Sequence, residues 1–206
     1  MKLRSTLVLA AVALAAPAFG QFETPQPSPK ATLSQRVGLT DVTITYSRPS
    51  VKGRAIWGAL VPLDKPWRTG ANQATTITFS DDVTVEGQKL AAGTYSIVTI
   101  PGKDEWTVIF NNDTKLWWET EYDAAKDALR VKAKPQAIGM VETFHIGFPS
   151  IGTTSAVLAF EWEKVSVPVT IGVEVDAKMQ KSLAAAEAAS WQSPLMAARY
   201  YFEQKK

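Results

Sequence analysis

The sequence contains no cysteine and a single histidine among its 206 residues. Without cysteine the chain can form no disulfide, offer no thiolate nucleophile and carry no lipid-modified cysteine anchor. One histidine with no cysteine also leaves too few nitrogen and sulfur ligands for a zinc site. Stability must therefore come from packing of the core, and we predict neither a metal site nor a cofactor.

Recognisable catalytic motifs are also missing. The histidine, His145, has no G-x-S-x-G nucleophile to serve, so we interpret it as structural and predict no catalytic residues. One enzymatic alternative remains in Glu161 and Glu163, which on a strand would share one face about 7 Å apart. That separation suits an inverting glycosidase, whereas the competing interpretation is two solvent-facing acids beside a hairpin turn at residues 163–164.

A long apolar run occurs at the N-terminus. Lys2 and Arg4 precede the apolar residues 7–16, and Ala18-Phe19-Gly20 provides the small residues that a signal peptidase reads. The run is too short to span a bilayer as a mature helix. We expect cleavage before Gln21 and a periplasmic or extracellular product without an integral membrane segment.

Excess charge of either sign is absent from the expected mature chain. Residues 1–20 hold two basic residues and no acid, so their removal leaves 20 Lys plus Arg against 20 Asp plus Glu. Nucleic acids and anionic membranes are bound by a basic surface that releases counterions. The balance therefore argues against nucleic acid as a partner.

Basic charge is concentrated in residues 46–72, YSRPSVKGRAIWGALVPLDKPWRTGAN. This segment carries five basic residues, one acid, two tryptophans, three prolines and three glycines. Proline and glycine at this density predict a chain that turns several times rather than one regular element. A long, turning segment with this many apolar residues is typical of a functional loop.

Two interpretations of this segment remain open. Its arginines could present forked donors to a carboxylate, sulfate or phosphate beside a tryptophan face, or they could tie the loop to carbonyls while the tryptophans plug the core. Outside it, Trp117-Trp118 could form a sugar-stacking platform, although on a strand one of the two would be buried. The predicted ligand-binding residues are Arg48, Lys52, Arg54, Trp57, Trp67, Arg68 and Asn72.

Alternating apolar and polar residues dominate the middle of the chain. They predict a mainly β protein, an antiparallel β-sandwich of jelly-roll type over residues 31–175, after a proline-rich linker at residues 21–30. Glu86-Gly87 predicts a tight hairpin turn, and Pro168 predicts an edge or bulged strand. The predicted strands are residues 42–46, 75–80, 83–85, 94–100, 106–111, 129–133, 142–148, 155–162 and 165–171.

The pattern changes to helical spacing at Asp176. Apolar residues recur at three- and four-residue intervals, and Ser193-Pro194 is typical of a new helix start. We predict a pair of short helices over residues 176–206 that pack on the sandwich, because neither is long enough to be stable alone.

Several runs resemble the signature of an exported bacterial family, domain of unknown function 2911. The runs are YSRPSVKGR (46–54), LVP (60–62), WRTGANQATTITF (67–79) and DDVTVEGQKLAAGTYSIVTIPGKDEWTVIFN (81–111). The resemblance implies an exported β-rich domain and carries over no catalytic residue. We therefore predict a ligand-binding or envelope-associated module for an anionic or glycan-like ligand. One alternative is a carboxylate-dependent hydrolase of envelope or extracellular polymer. The other is a structural or partner-docking module.

The leader prediction has a direct test. We expect the mature protein to begin at Gln21 and to be recovered from the periplasm or the medium. Intact-mass analysis of the exported protein measures the N-terminus, and exported protein that retains Met1 would contradict the prediction.

Overall fold

The computed structural model of the protein describes residues 24–204. The predicted leader and its cleavage site at Gln21 lie outside these residues. Within them the chain forms ten strands, two short 3-10 turns and one helix. In chain order these are β1 (Lys30–Val37), β2 (Thr40–Ser47), β3 (Thr75–Phe79), β4 (Val83–Val85), β5 (Gln88–Leu90), β6 (Gly93–Ile100), β7 (Trp106–Asn111), the turns Glu119–Glu121 and Ala124–Lys126, β8 (Asp127–Ala133), β9 (Gln136–Ile151), β10 (Ser155–Val173) and α1 (Asp176–Gln204).

The strands form two antiparallel sheets, which confirms a mainly β protein. The larger sheet has six strands in the order β1-β2-β3-β6-β7-β8. Its central strands show the predicted alternation, with Val42, Ile44 and Tyr46 of β2 buried on one face. Side chains on a strand alternate between faces, so this pattern places the apolar set towards the core.

The smaller sheet has four strands in the order β5-β4-β10-β9. Its hairpin between β4 and β5 turns at Glu86 and Gly87, where φ is 48° and 74°. Two successive positive φ values define the primed turn whose twist matches that of the flanking strands. The predicted hairpin is therefore confirmed.

The predicted turn at Glu163 and Lys164 is wrong. β10 continues through these residues as one 19-residue strand paired with β9. The pairing register shifts on either side of Glu163, whose φ is 56°, so the polar pair marks a β-bulge. A bulge and a turn share the same residue preferences, which explains why the sequence pattern was ambiguous.

One cluster of buried apolar side chains contains residues from both sheets. Ile44 and Val108 come from the larger sheet, whereas Leu158 and Ile171 come from β10 of the smaller one. A second, smaller cluster is formed by Ala74, Val98, Ile109 and Leu116. The main cluster anchors residues 46–72, because Val51, Ile56, Val61 and Trp67 of this segment belong to it.

The predicted pair of C-terminal helices is replaced by one continuous helix, α1. Pro194 lies inside it, although an interior proline removes a backbone donor and crowds the preceding turn, so the expectation that Ser193-Pro194 starts a new helix is wrong. Lys178 holds the first turn, where its Nζ lies 2.6 Å from both the Leu39 carbonyl oxygen and Asp81 Oδ2. The apolar side chains of Leu183, Leu195 and Phe202 on α1 are exposed. No helix in residues 24–204 has the length and apolarity to cross a membrane.

The core is tested by two truncations of apolar strand residues. Ile44→Ala should lower the free energy of unfolding by about 2–5 kcal/mol, because the fully buried side chain leaves a cavity. Met140 of β9 is 54% exposed, so Met140→Ala should change it by less than about 0.5 kcal/mol. Urea denaturation measures both, and equal losses would contradict the position of the core.

Candidate functional site

Residues 46–72 connect the two sheets at the candidate site. Directly after β2, the segment pairs with β9: Val51 N donates to the Glu142 carbonyl at 2.8 Å, and Phe144 N donates to the Pro49 carbonyl at 2.8 Å. The start of the segment is thereby fixed to the smaller sheet although it leaves a strand of the larger one.

The end of the segment returns to the larger sheet. Trp67 and Thr99 exchange two backbone hydrogen bonds of 2.7 and 2.8 Å, which aligns the chain along β6. Gly70 follows, with a φ of 149°, and a Cβ atom there would lie 3.0 Å from the Ser47 carbonyl oxygen and 3.1 Å from Thr75 Oγ1. Glycine is favoured at this point because L side chains rarely adopt this φ and a Cβ atom would crowd both oxygens.

Tryptophans from three parts of the chain meet under the segment. The rings of Trp67 and Trp162 stack with centroids 5.8 Å apart and an interplanar angle of 16°. Trp57 meets both edge-on at 5.8 and 5.9 Å, and Trp106 at 4.9 Å. Aromatic pairs in these geometries stabilise beyond their buried area. The tryptophans therefore do plug the core, as the structural interpretation of the segment expected.

A cavity of about 580 Å³ opens above this cluster. Its apolar walls come from Leu60 and Val61, three prolines and the stacked pair Trp67 and Trp162. The full lining is Ser28, Pro49, Arg54, Leu60, Val61, Pro62, Lys65, Pro66, Trp67, Arg68, Gly70, Ala71, Glu119, Thr120 and Trp162. Its charged members are three bases and one acid, so the cavity is locally basic in a chain whose overall charge is nearly balanced.

Arg68 is the most enclosed of the three cationic side chains, with 18% of its side chain exposed. Its Nη1 donates to Glu119 Oε1, and its Cζ lies 5.9 Å from the centroid of the Trp118 ring. Its Nε is buried and has no hydrogen-bond partner within residues 24–204. A buried N–H without an acceptor is costly, so the contact with Glu119 leaves this guanidinium only partly satisfied.

Arg54 and Lys65 are both exposed. Two hydrogen bonds hold the guanidinium of Arg54. Its Nε donates to the Val51 carbonyl at 3.1 Å, and its Nη2 donates to the Ser50 carbonyl at 2.5 Å. These bonds leave Nη1 of Arg54 for other acceptors. Two of the three predicted arginines, Arg54 and Arg68, thus line one cavity.

The structure brings only Arg54, Trp67 and Arg68 of the seven predicted residues to the cavity lining, and Trp57 supports the lining from beneath. Arg48 donates from Nε to the Phe144 carbonyl at 3.0 Å and borders a separate depression beside His145. Lys52 contributes its backbone N–H to Glu142, 2.9 Å away. Asn72 Nδ2 donates to the Ser28 carbonyl at 3.1 Å.

A family model described as "Protein of unknown function (DUF2911)" matches residues 28–171, more than half of the chain. The chain belongs to this family. The match includes every residue that lines the cavity and ends before α1. Searches of curated proteins and of solved structures found no match.

The loop between β7 and β8 supplies cavity residues that sequence reasoning missed, Glu119 and Thr120. Leu116 anchors this loop in the second core cluster, with 3% of its surface exposed. Trp117 and Trp118 are 46% and 56% exposed, so the expectation that one of them is buried is wrong. The loop is irregular here, and the strict alternation of a strand does not apply.

Hydrogen bonds hold this loop at both ends. Glu121 Oε2 accepts from the backbone N–H of Trp117 at 2.7 Å, within the turn that carries Glu119. The Tyr122 hydroxyl donates to Asp127 Oδ2 at 2.8 Å and accepts from Arg130 Nη2 at 2.5 Å. Burial, followed by the hydrogen bond to Asp127, raises the pKa of Tyr122 to about 12.

The proposed carboxylate pair of a glycosidase does not have simple strand geometry. A register shift separates Glu161 from Glu163, so the two-residue spacing of a regular strand cannot be assumed. Glu161 lies 3.7 Å from His145 Nδ1 and accepts from the Ser166 hydroxyl at 3.3 Å. Glu163 Oε2 accepts from the backbone N–H of Lys164 at 2.8 Å. Each acid is engaged locally, and neither lines the basic cavity.

Titration of Tyr122 tests how the loop is held. The folded pKa of about 12 exceeds the ordinary tyrosine value of about 10, so the contribution of Tyr122 to stability is complete below pH 10 and is lost as the pH rises towards 12. The absorbance difference between wild type and Tyr122→Phe reports the phenolate of Tyr122 alone, and this phenolate should form near pH 12. After denaturation of both proteins, the same difference should give a pKa near 10. A pKa near 10 in the folded protein would contradict the buried, hydrogen-bonded environment of Tyr122.

Proposed function

We propose that this chain is an exported module that binds a small anionic or glycan-like ligand in the cavity under residues 46–72. The observation that carries the proposal is that Arg54, Lys65 and Arg68 line one cavity. Glu119 is the single acidic residue in its lining. We place the mature protein in the periplasm or outside the cell, as the N-terminal leader indicates. The two sheets, which share one apolar core, would then form a β-sandwich that supports the site.

The size and lining of the cavity support this function. Small-molecule sites commonly enclose about 300–1,000 Å³, with apolar walls and a few convergent polar groups. Here the walls are proline, leucine, valine and tryptophan, and the polar groups are mainly cationic. Arginine forks bind carboxylate, sulfate and phosphate with two parallel hydrogen bonds, which supplies orientation as well as affinity.

Trp118 gives the proposed site an aromatic surface for a saccharide ring. Its ring is 56% exposed and stands over the Arg68 guanidinium. An exposed indole offers an apolar face to a sugar ring or an aromatic ring, while the adjacent cation attracts an acid group. A negatively charged sugar is therefore included among the ligands to be tested.

Arginine-to-lysine substitutions test the proposal, because they keep the charge and remove the fork. A thermal-shift screen of the mature protein with phosphate, sulfate, glucuronate and 3-phenylpropionate would first identify a ligand that raises Tm. We expect Arg54→Lys or Arg68→Lys to weaken its Kd about tenfold, in line with the loss of a charge-assisted hydrogen bond.

Arg48→Lys is the matched control. It lies in the same segment, but its guanidinium is bound to the Phe144 carbonyl away from the cavity. The control should bind the ligand as the wild type does, even if its Tm is lower. Equal loss of binding in all three variants, or no anion that raises Tm, would refute the proposal.

A further inference from the structure

Glu119 occupies a particular place in the basic cavity. It lies 51 residues from Arg68 in sequence, and its carboxylate contacts Nη1 of that side chain. The Glu119 side chain is 33% exposed and stands on the short turn Glu119–Glu121. The chain itself thus places a carboxylate at the most enclosed cation of the site.

We propose that Glu119 is an internal stand-in for the acid group of the ligand, and that the ligand is an amphipathic carboxylate that displaces Glu119 from Arg68. This inference rests on the proposed function and specifies the chemical class of the ligand. It also assigns to the loop between β7 and β8 the role of closing the anion subsite when no ligand is bound.

The pairing between Arg68 and Glu119 is incomplete in a way that favours displacement. Glu119 reaches Nη1 through one oxygen, and no hydrogen bond from Nη2 is made within residues 24–204. A guanidinium offers its two terminal nitrogens side by side to the two oxygens of one carboxylate. A free carboxylate can adopt that arrangement, but the Glu119 carboxylate is tethered to its turn. The ligand would therefore satisfy a donor that the internal pair leaves unused.

Trp118 keeps the arginine in place during this exchange. Its ring lies against the guanidinium, with 5.9 Å from Cζ to the ring centroid. Stacking of this kind attracts the cation without using its N–H donors. The backbone N–H groups of Trp117 and Trp118 donate to the Glu121 side chain and not to that of Glu119. The Glu119 side chain can therefore leave Arg68 while the turn persists.

The remainder of the cavity indicates the rest of the ligand. Leu60, Val61, Pro62, Pro66 and the stacked indoles give walls that offer few partners to hydroxyl groups. A polar group brought against such walls loses its hydrogen bonds to water without replacement. An aryl or branched alkyl body avoids that loss, so an aromatic or aliphatic carboxylate fits better than inorganic phosphate or a free sugar acid.

Isothermal titration calorimetry of the mature protein with 3-phenylpropionate, phosphate and glucuronate tests the inference. Wild type should bind 3-phenylpropionate most tightly, and Glu119→Gln should lower its Kd about tenfold, because one charge-assisted hydrogen bond no longer has to be broken. Glu119→Ser also removes the competing carboxylate, so it should lower the Kd for 3-phenylpropionate as well.

Glu105→Gln is the control for charge. Glu105 pairs with Lys132 and does not line the cavity, so this variant makes the same change in net charge and should leave the Kd unchanged. Binding of 3-phenylpropionate that neither Glu119 variant tightens would overturn the displacement but leave the proposed function standing.

The other outcomes also decide the matter. Tighter binding of phosphate or glucuronate than of 3-phenylpropionate would overturn the amphipathic carboxylate while still placing an anion in the cavity. If wild type and both Glu119 variants bind none of the three probes, the inference fails, and the proposed function loses these ligand classes as well.

Discussion

The stack of Trp67 on Trp162 is the contact on which the candidate site depends. One ring belongs to the turning segment and the other to β10, and both line the cavity floor. Without this pair the segment would retain its backbone bonds to Thr99 and to β9 but would lose the apolar surface between them. The structural and ligand-binding interpretations of the segment are therefore not exclusive: its buried residues join the core, while Arg54, Lys65 and the half-buried Arg68 line the cavity.

Local physical rules predicted the parts of the fold that depend on neighbouring residues. The alternation of Val42, Ile44 and Tyr46 gave the buried face of β2, and Glu86-Gly87 gave a primed turn, because both features need only short-range sterics and burial. Glu163-Lys164 and Pro194 were misinterpreted for the complementary reason. A bulge and a turn both interrupt the regular strand pattern, and here a serine-proline pair that is typical of a helix start lies within a helix.

The candidate site was predicted only in part, since a cavity is assembled by contacts distant in sequence. Arg54, Trp67 and Arg68 belong to one conspicuous segment, and composition was enough to find them. Glu119 and Trp162 are brought to that segment by strand pairings between residues distant in sequence, and nothing in their local pattern indicates it. The exposed Trp117 and Trp118 gave the sole hint, because two large aromatic residues in a polar loop are costly unless they have a use.

The attachment of residues 46–72 to both sheets also affects how the molecule could diverge. The scaffold constrains Gly70, Trp67 and Thr99, so substitution at any of these positions should lower the free energy of unfolding. Leu60 and Lys65 line the same cavity from exposed positions, and a new side chain at either would meet mainly solvent and ligand. If the cavity binds a ligand as proposed, its preference could change through a few rim positions while the architecture stays constant, so that one scaffold would serve chemically different small molecules.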